Sequence, residues 1–595
     1  MSEAPAWKRR FTAPTIRFPH WASGAPERLA YVSNEHGSLQ AWSHDLDTGE
    51  RRRLSDEHVG VEEALVTPDG SRVAWWQDAT GNEHGRWVAA PFEGGEPAPF
   101  VAGVPDAWNM GMDAVGEVTA VGLSLDDGTY AVHIETGGRP ARELYRHERP
   151  AGVAIEWESG RGGLSADASL VCVRHAERGD IEHYALRALE TWSGATAGEQ
   201  WDQGLNLLPG AWSPVAGDQR LVIRHEREGY ERPAIWDLAG GKRRDLAVDL
   251  PGAVEPLGWW PDASAILVLH DHEGRHRLYR LDPMSGALEL VVDPEGTVSG
   301  AAVRPDGSVW YRGESGAHAA RILSTAGGEV VTADGERAPE GRRYRSLRFE
   351  NSKGESIHGF LATPPGEGPH PVVLSVHGGP NWHWRDAFDP MTQAFVDHGF
   401  AVAMVNYRGS TGYGTEFREA LKGNIGFPET EDTLAALDSL VAEGVADPTR
   451  VFIEGFSWGG YITLLALGLH PNRFRGGIAG IPVGDYVAAH YECSPPLREW
   501  DLATLGGSPA ELPELYHERN PMTYVDRVRA PVLVIAGMND SRCPIGQVMA
   551  WVTARRGHGG RVDLHLYDSG HHAMAIDEQV LEAELELGFL LEHTA

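Results

Sequence analysis

The chain has 595 residues and a formal net charge of −33, from 52 Lys and Arg against 85 Asp and Glu. A surface this acidic repels phosphates and anionic lipids, so we expect neither nucleic acid nor a membrane surface as partner. The 42% hydrophobic fraction excludes a disordered chain, and no apolar run approaches the ~20 residues that span a bilayer. Three scattered cysteines without a CxxC pattern, and no secretory signal, predict a cytoplasmic location.

Residues 1–341 repeat a turn phrase, Pro or Ala, then Asp, then Gly or Ala, before an apolar strand. Its aspartates are Asp69, Asp167, Asp262 and Asp306, at intervals compatible with a unit of ~45 residues, the length of one four-stranded propeller blade. We therefore predict a seven-bladed β-propeller over residues 1–341, with a short N-terminal extension. The predicted blades begin near Leu29, Glu63, Asn109, Gly163, Gly210, Pro256 and Gly300. A β-sandwich is the alternative, but a sandwich does not require a repeated period.

From Arg342 onward, apolar strands alternate with helical segments. Examples are PVVLSVHG from Pro371, AVAMVNY from Ala401, RVFIEGF from Arg450 and PVLVIAG from Pro531. Continuous apolar strands separated by helices predict a parallel sheet covered on both faces. We assign residues 342–595 to a C-terminal α/β-hydrolase domain.

A GxSxG motif lies at the end of one of these strands. Ser457 stands in GFSWGG, between a strand that ends at Gly455 and a helix that begins at Trp458. This is the context of a nucleophile elbow, in which a strained turn presents the serine hydroxyl. We predict that Ser457 is a catalytic nucleophile.

A nucleophilic serine needs a base and a residue that orients the base. In α/β-hydrolases the acid and then the histidine follow the serine, each after a later strand. Asp540 follows the strand PVLVIAG, and His571 follows the strand VDLHLYD. Ser457, Asp540 and His571 are therefore the predicted catalytic triad, with His572 as the alternative base.

Backbone donors for the developing oxyanion are predicted at two places. His377-Gly378-Gly379-Pro380 follows the first long strand of the domain, where hydrolases place a Gly-rich turn. The helix after Ser457 begins at Trp458, whose N–H group faces the same site. We expect the N–H groups of Gly379 and Trp458 to form the oxyanion hole.

Together these motifs resemble the prolyl-oligopeptidase family of serine peptidases, and its acylaminoacyl-peptidase-like branch most closely. The resembling segments are HGGP at 377–380, NYRGSTGYG at 406–414, GFSWGGY at 455–461 and NDSRCP at 539–544, with the histidine after Gly570. The resemblance implies a propeller that covers the hydrolase site and excludes folded proteins. It also implies that Arg542 lies at the substrate site and binds a peptide carbonyl. Cys543, where Val is usual, and His572, where Gly is common, depart from the family pattern.

We therefore expect a serine peptidase that hydrolyses short peptides, of the acylaminoacyl-peptidase or oligopeptidase type. The alternatives are a dipeptidyl or aminopeptidase, an esterase or amidase that acts on a small metabolite, and an inert propeller-based binding protein. No metal ion or organic cofactor is expected, and self-association into a homo-oligomer is left open.

Two other groups of residues receive no catalytic role from the sequence. Dipeptidyl peptidases need fixed carboxylates for the substrate amine. Glu62-Glu63 is the only Glu-Glu pair in residues 1–341, early in a predicted strand, which disfavours that activity. His270, His272 and His276 lie near Asp271 without a Cys or HExxH pattern, and we interpret them as a solvated turn.

Overall fold

The computed structural model describes residues 4–155, 162–573 and 575–594. Within them, β1 to β28 form seven groups of four consecutive antiparallel strands. The first four groups hold β1 (His20–Trp21), β2 (Arg28–Ser33), β3 (Gln40–Asp45), β4 (Arg51–Arg53); β5 (Ala64–Val66), β6 (Arg72–Gln77), β7 (His84–Pro91), β8 (Ala98–Pro99); β9 (Ala107–Val115), β10 (Val118–Ser124), β11 (Tyr130–Thr136), β12 (Arg142–His147); β13 (Ala151–Val153), β14 (Leu170–His175), β15 (Ala185–Glu190) and β16 (Thr196–Gln200).

The next three groups follow the same pattern. They hold β17 (Leu207–Trp212), β18 (Arg220–His225), β19 (Arg232–Asp237), β20 (Lys242–Asp245); β21 (Ala253–Trp259), β22 (Ile266–His272), β23 (Arg275–Leu281), β24 (Leu288–Val292); β25 (Thr297–Val303), β26 (Val309–Ser315), β27 (His318–Ser324) and β28 (Glu329–Val331). Strands β7 and β9 also pair at two positions, which joins the second and third groups.

The four-stranded sheets pack in a closed ring. A hydrophobic cluster lies between each sheet and the next in chain order. The last sheet packs against the first, because Trp310 and Ile322 share a cluster with Trp21 and Tyr31. Apolar side chains on both faces of each sheet are thereby buried against a neighbour.

The repeated aspartates lie in equivalent turns. Asp69, Asp167, Asp262 and Asp306 each follow the first strand of their sheet, and each Oδ1 accepts a hydrogen bond from the N–H group two residues later. An aspartate that bonds its own backbone in this way stabilises a tight turn. The repeated phrase therefore marks one recurring structural position.

In the hairpin of β22 and β23, His270 and His276 are buried and His272 is exposed, so the interpretation as a solvated turn was wrong for His270 and His276. His270, Asp271 and His276 are only 2–4% exposed. The hairpin tip packs against the C-terminal domain, where the Asp386 N–H donates to the Gly274 carbonyl oxygen over 2.9 Å. This burial comes from a segment more than a hundred positions away, which local polarity does not reveal.

The C-terminal domain contains one eight-stranded sheet in the order β29-β30-β32-β31-β33-β34-β35-β36, parallel from β32 to β36. Its strands are β29 (Arg345–Glu350), β30 (Ser356–Ala362), β31 (His370–Val376), β32 (Ala401–Asn406), β33 (Ala446–Phe456), β34 (Gly476–Gly480), β35 (Val532–Gly537) and β36 (Val562–Tyr567). All six residues of β32 and all six of β35 are buried, as expected for strands covered on both faces.

The helices of this domain are α2 (Pro390–Asp397), α3 (Thr415–Arg418), α4 (Phe427–Ala442), α5 (Trp458–Leu469), α6 (Tyr486–Glu492), α7 (Pro495–Leu505), α8 (Pro513–Arg519), α9 (Ile545–Gly557) and α10 (Ile576–Thr594). In the described parts of the chain, every helix falls short of the length or the apolar character needed to cross a bilayer.

A short N-terminal helix, α1 (Ala6–Thr12), packs on α2 and α10 of the C-terminal domain. Arg10 of this helix donates hydrogen bonds to the carbonyl oxygens of Pro339 and Glu340 and pairs with Asp397. From α1 on the C-terminal domain the chain crosses to the ring of sheets, and it returns at residues 339–340, next to α1.

Candidate active site

Ser457 occupies a strained turn between β33 and α5. Its backbone has φ 56° and ψ −117°, a conformation uncommon for a residue with a side chain. A Cβ atom on Gly459 would lie 2.0 Å from the Val376 carbonyl oxygen, and one on Gly455 would lie 2.6 Å from the backbone of Gly459. The turn therefore requires glycine two residues before and two residues after Ser457.

Ser457, His571 and Asp540 form a chain of hydrogen bonds. His571 Nε2 lies 3.0 Å from Ser457 Oγ, and His571 Nδ1 lies 2.8 Å from Asp540 Oδ2. Both distances are within the normal hydrogen-bond range. Asp540 and His571 follow the carboxyl ends of β35 and β36, at the same edge of the sheet as Ser457.

The carboxylate of Asp540 is held by the backbone as well. Its Oδ1 accepts hydrogen bonds from the N–H groups of Arg542 (2.7 Å) and Cys543 (2.9 Å). Burial raises the pKa of Asp540, but the charge and hydrogen bond of His571 and these two N–H groups lower it below its ordinary value overall. Asp540 therefore stays ionised and orients the His571 ring.

His572 occupies a different place from its neighbour. Its ring stands edge-on to that of His571 at 4.7 Å, and its side chain is exposed. Among the described residues it makes no hydrogen bond to Ser457 or Asp540, whereas His571 bonds both. The structure thus brings His571, and not His572, to the serine.

The predicted oxyanion donors lie beside Ser457. A Cβ atom on Gly378 would be 3.5 Å from the Ser457 Cβ, which places the 377–380 turn directly against the nucleophile. Trp458 is the first residue of α5, where N–H groups have no partner within the helix. Neither the Gly379 nor the Trp458 N–H group donates to an acceptor in the described part of the chain. Both donors are therefore available to a ligand.

His377 supports this turn, a role that the sequence analysis missed. Its ring stacks on Tyr407 at 4.1 Å, and its Nε2 lies 2.8 Å from Ser410 Oγ. Burial lowers the pKa of His377 to about 3, so the ring is neutral. The HGGP and NYRGSTGYG segments are thus packed on each other. The presence of both motifs in one sequence is the signal from which this contact could have been predicted.

A cavity of about 1070 Å³ lies between the ring of sheets and the C-terminal domain. His571 and Gly379 line it from the C-terminal domain, and Trp108 and Tyr184 line it from the ring. The cavity has both aromatic and charged walls and is partly open to solvent. Its volume is typical of a small-ligand site. Ser457 is half-buried, and its hydrogen-bond partner His571 lines the cavity.

Arg542 lies on the wall of this cavity. Its guanidinium pairs with Glu83, in the turn between β6 and β7 of the ring. Burial lowers the pKa of Arg542, but the charge and hydrogen bonds of Glu83 raise it overall. The sequence analysis missed Glu83, because the two residues are 459 positions apart. This ion pair links the acid loop of Asp540 to the other domain.

Glu62 and Glu63 also line the cavity. Glu63 accepts a hydrogen bond from Asn109 over 3.1 Å, and burial raises its pKa to about 7, assisted by the charge of Glu62. The sequence predicts that they lie early in a strand, but β5 begins only at Ala64, so both precede it. Their place beside the cavity that His571 lines removes the sequence-based objection to a role in binding a substrate amine.

Comparison with known proteins gives two kinds of similarity. Residues 386–595 match the model of the prolyl oligopeptidase family. The acylamino-acid-releasing enzyme of Homo sapiens is 31% identical over 243 residues, 40% of this chain and 32% of that enzyme. The uncharacterized peptidase YuxL of Bacillus subtilis is 28% identical over 235 residues, 38% of this chain and 35% of that protein. The matches thus span about a third of the length of these relatives.

Two solved structures are similar over almost the whole chain. Puromycin hydrolase has a TM-score of 0.83 at 20% identity and covers 99% of this chain and 96% of its own. The acylaminoacyl peptidase of Pyrococcus horikoshii has a TM-score of 0.72 at 18% identity and covers 99% and 97%. They establish that the predicted two-domain fold is shared. The resemblance to the prolyl oligopeptidase family is therefore confirmed, and the family match comprises residues 386–595, which carry Ser457, Asp540 and His571.

Proposed function

We propose that the protein is a serine peptidase that hydrolyses short peptides through an acyl-enzyme. The observation that carries this proposal is the Ser457–His571–Asp540 hydrogen-bond chain, whose histidine lines the cavity between the two domains. Ser457 Oγ attacks the substrate carbonyl carbon while His571 Nε2 accepts the hydroxyl proton, and the protonated His571 then donates that proton to the leaving amine. Water attacks the acyl-enzyme in the same manner, which releases the acid and restores Ser457.

The developing oxyanion needs donors that are already in place. The N–H groups of Gly379 and Trp458 supply them in this proposal, supported by the close approach of the 377–380 turn to Ser457. Donors fixed by the backbone need no reorganisation when the charge develops, and one such donor contributes on the order of a hundredfold in rate.

The ring of sheets is assigned as a seven-bladed β-propeller over residues 1–341, followed by the hydrolase domain over residues 342–595. The ring closure through the first and last sheets supports the blade count. In this arrangement the propeller covers the cavity and admits short peptides in preference to folded proteins. The cytoplasmic location and any homo-oligomer remain predictions from the sequence.

The substrates proposed first are N-acylated or internal peptide segments, of the acylaminoacyl-peptidase or oligopeptidase type. The aromatic cavity walls accept an uncharged amino end. A second candidate is an aminopeptidase or dipeptidyl peptidase, which Glu62 and Glu63 favour because they offer carboxylates to a protonated amine in the same chamber. A bound ammonium group would also favour the ionised form of Glu63.

A substrate panel separates these functions. We would measure kcat/KM for matched N-acetylated, free-amino and ester substrates with the wild type, Glu63→Gln and Ser457→Ala. The first proposal predicts that the wild type hydrolyses the N-acetylated peptide and that Glu63→Gln changes its kcat/KM by less than about threefold. It also predicts that Ser457→Ala retains only about 10⁻⁶ of the wild-type kcat/KM. Preference for the free amine, lost in Glu63→Gln, would establish the second candidate instead. Turnover of the ester alone, or no labelling of Ser457 by a fluorophosphonate, would contradict both.

A further inference from the structure

A second group of imidazole and carboxylate side chains lies where the two domains meet. Asp271 on β22 and His276 on β23 belong to the ring, and His383 belongs to the loop after the 377–380 turn. One ligand-type atom of each lies within 4.8 Å of the other two, and all three residues are buried. This inter-domain cluster is Asp271, His276 and His383.

The outer ring nitrogen of His276 faces the backbone of the next sheet. His276 Nδ1 lies 2.8 Å from the Val298 carbonyl oxygen, 2.8 Å from the Thr297 hydroxyl and 3.3 Å from the Val298 nitrogen. The other ring nitrogen, Nε2, lies 3.8 Å from Asp271 Oδ1, which is too long for a direct hydrogen bond. An ion placed between these two atoms can contact both.

His383 approaches the same carboxylate from the other domain. Its Nδ1 is held by the Thr411 hydroxyl at 2.8 Å. Its Nε2 lies 2.9 Å from Asp271 Oδ2 but is not aligned for a hydrogen bond to it. A Cβ atom on Gly412 would lie 2.9 Å from Asp271 Oδ2 and 3.4 Å from His383 Nε2, so the glycine leaves the space beside these two atoms open.

We propose that Asp271, His276 and His383 bind a divalent zinc-class ion that bridges the two domains. Two imidazole nitrogens and one carboxylate oxygen are ligands that Zn²⁺ prefers, with water as the fourth ligand. Metal-bound histidines usually donate their other ring N–H group to a carbonyl or a similar acceptor. The Val298 carbonyl and the Thr411 hydroxyl occupy those positions here.

The ion would connect the ring to the loop that follows the proposed oxyanion turn. His383 lies four residues after Gly379, so a bound ion fixes both the domain contact and the base of that turn. Arg385, whose charge also acts on Asp271 and His276, partly balances the carboxylate when no ion is bound. The inference is independent of the proposed peptidase activity, since it requires only binding of the ion.

The test measures binding of zinc chloride to the chelator-treated full chain by calorimetry and by metal analysis after dialysis. We compare the wild type with His276→Gln and with the matched control His270→Gln. His270 is a buried histidine of the same hairpin whose Nε2 bonds the Pro251 carbonyl oxygen, outside the cluster. We expect the wild type and His270→Gln to bind one more ion than His276→Gln, whose affinity falls at least about a hundredfold.

Cobalt substitution identifies the ligands. Co²⁺ in the inter-domain cluster gives visible d–d bands without a thiolate charge-transfer band, whereas a site that uses Cys543 near the triad gives one. If His276→Gln fails to fold, Thr411→Val replaces it, and we expect ten- to a hundredfold weaker binding from loss of the hydroxyl that holds His383. Zinc binding by His276→Gln and Thr411→Val equal to that of the wild type, no binding by the wild type, or a thiolate band would overturn the proposal.

Discussion

The triad and the inter-domain cluster both contain histidine and aspartate, but the histidine rings contact different groups in the two sites. In the triad, both ring nitrogens of His571 are engaged, one by Asp540 and one by the Ser457 hydroxyl. In the cluster, carbonyl and hydroxyl groups hold the outer nitrogens, and the inner nitrogens face Asp271. The comparison teaches that a histidine–carboxylate pair suits proton transfer where a hydroxyl lies at the remaining ring nitrogen, and suits the proposed ion where a second imidazole faces the same carboxylate.

The two groups also differ in their relation to the domains. The three triad residues all belong to the C-terminal domain, although Arg542 and Glu83 also tie the acid loop to the ring. The inter-domain cluster exists only while the ring and the C-terminal domain are in contact. Chemistry and closure are thus assigned to separate sets of side chains.

The largest expected effect separates two adjacent histidines. His571→Ala should lower kcat by about 10⁶-fold, because the base that accepts the Ser457 proton is lost. His572→Ala should keep kcat within about tenfold, since His572 bonds neither Ser457 nor Asp540. Steady-state kinetics on a short chromogenic peptide, normalised to folded protein, measures both. A greater loss of kcat in His572→Ala than in His571→Ala would show that His572, and not His571, accepts the Ser457 proton during catalysis.

A second prediction compares the two aspartates. Asp540→Asn should lower kcat by about 10⁴-fold, because an amide at this position favours the wrong tautomer of His571. Asp271→Asn should change kcat by less than about tenfold relative to the wild type. The same variant should lose the zinc ion that the wild type binds at the inter-domain cluster. The matched pair is measured by kinetics and metal analysis on the same preparations. Equal loss of activity in both would contradict the separation of chemistry from closure.

A smaller effect is expected at the Arg542–Glu83 ion pair. If Arg542 binds a peptide carbonyl, as the family resemblance implies, Arg542→Gln should raise KM about tenfold with little change in kcat, because the charge-assisted hydrogen bond is lost. Glu83→Gln should change KM by less than threefold, since this partly exposed pair contributes little free energy by itself. If both single variants and the double variant give the same KM, Arg542 serves the domain contact and not the substrate.

The smallest effect concerns a third histidine beside carboxylates. His175 is fully buried near Glu177 and Glu199, and burial lowers its pKa below the ordinary 6.5, assisted by Arg187. Below pH 6.5 the unfolded chain therefore binds a proton that the folded chain does not, so the free energy of unfolding falls as pH falls. Between pH 7.5 and pH 5 the wild type should lose about 1 kcal/mol more than His175→Gln, measured by denaturant unfolding. A larger pH-dependent loss in the variant would contradict this sign.

Much of the architecture could be predicted from local pattern. The repeated Asp turns and the alternation of apolar strands with helices reflect short-range chemistry, and they indicated the sheets and the two-domain fold. Ser457 was equally readable, because the strain and crowding of its turn require glycines at fixed spacing. These features depend on neighbours within a few residues in the chain.

The features that sequence analysis missed depend on contacts between domains. Glu83 meets Arg542 only because the ring closes over the C-terminal domain, and Glu62 and Glu63 reach the cavity for the same reason. The hairpin with His270 and His276 has the composition of a solvated turn, but residues 384–386 cover it. Local polarity predicts exposure only where no distant segment is packed on it.

The two connections between the domains run side by side. Arg10 bonds the carbonyl oxygens of Pro339 and Glu340, and Pro14 approaches Gly335, so both connections leave from one place. Covalent linkage therefore holds the domains together at that place alone, and elsewhere they are held by non-covalent contacts. Glu83–Arg542 and the Asp271–His383 contact are two of these.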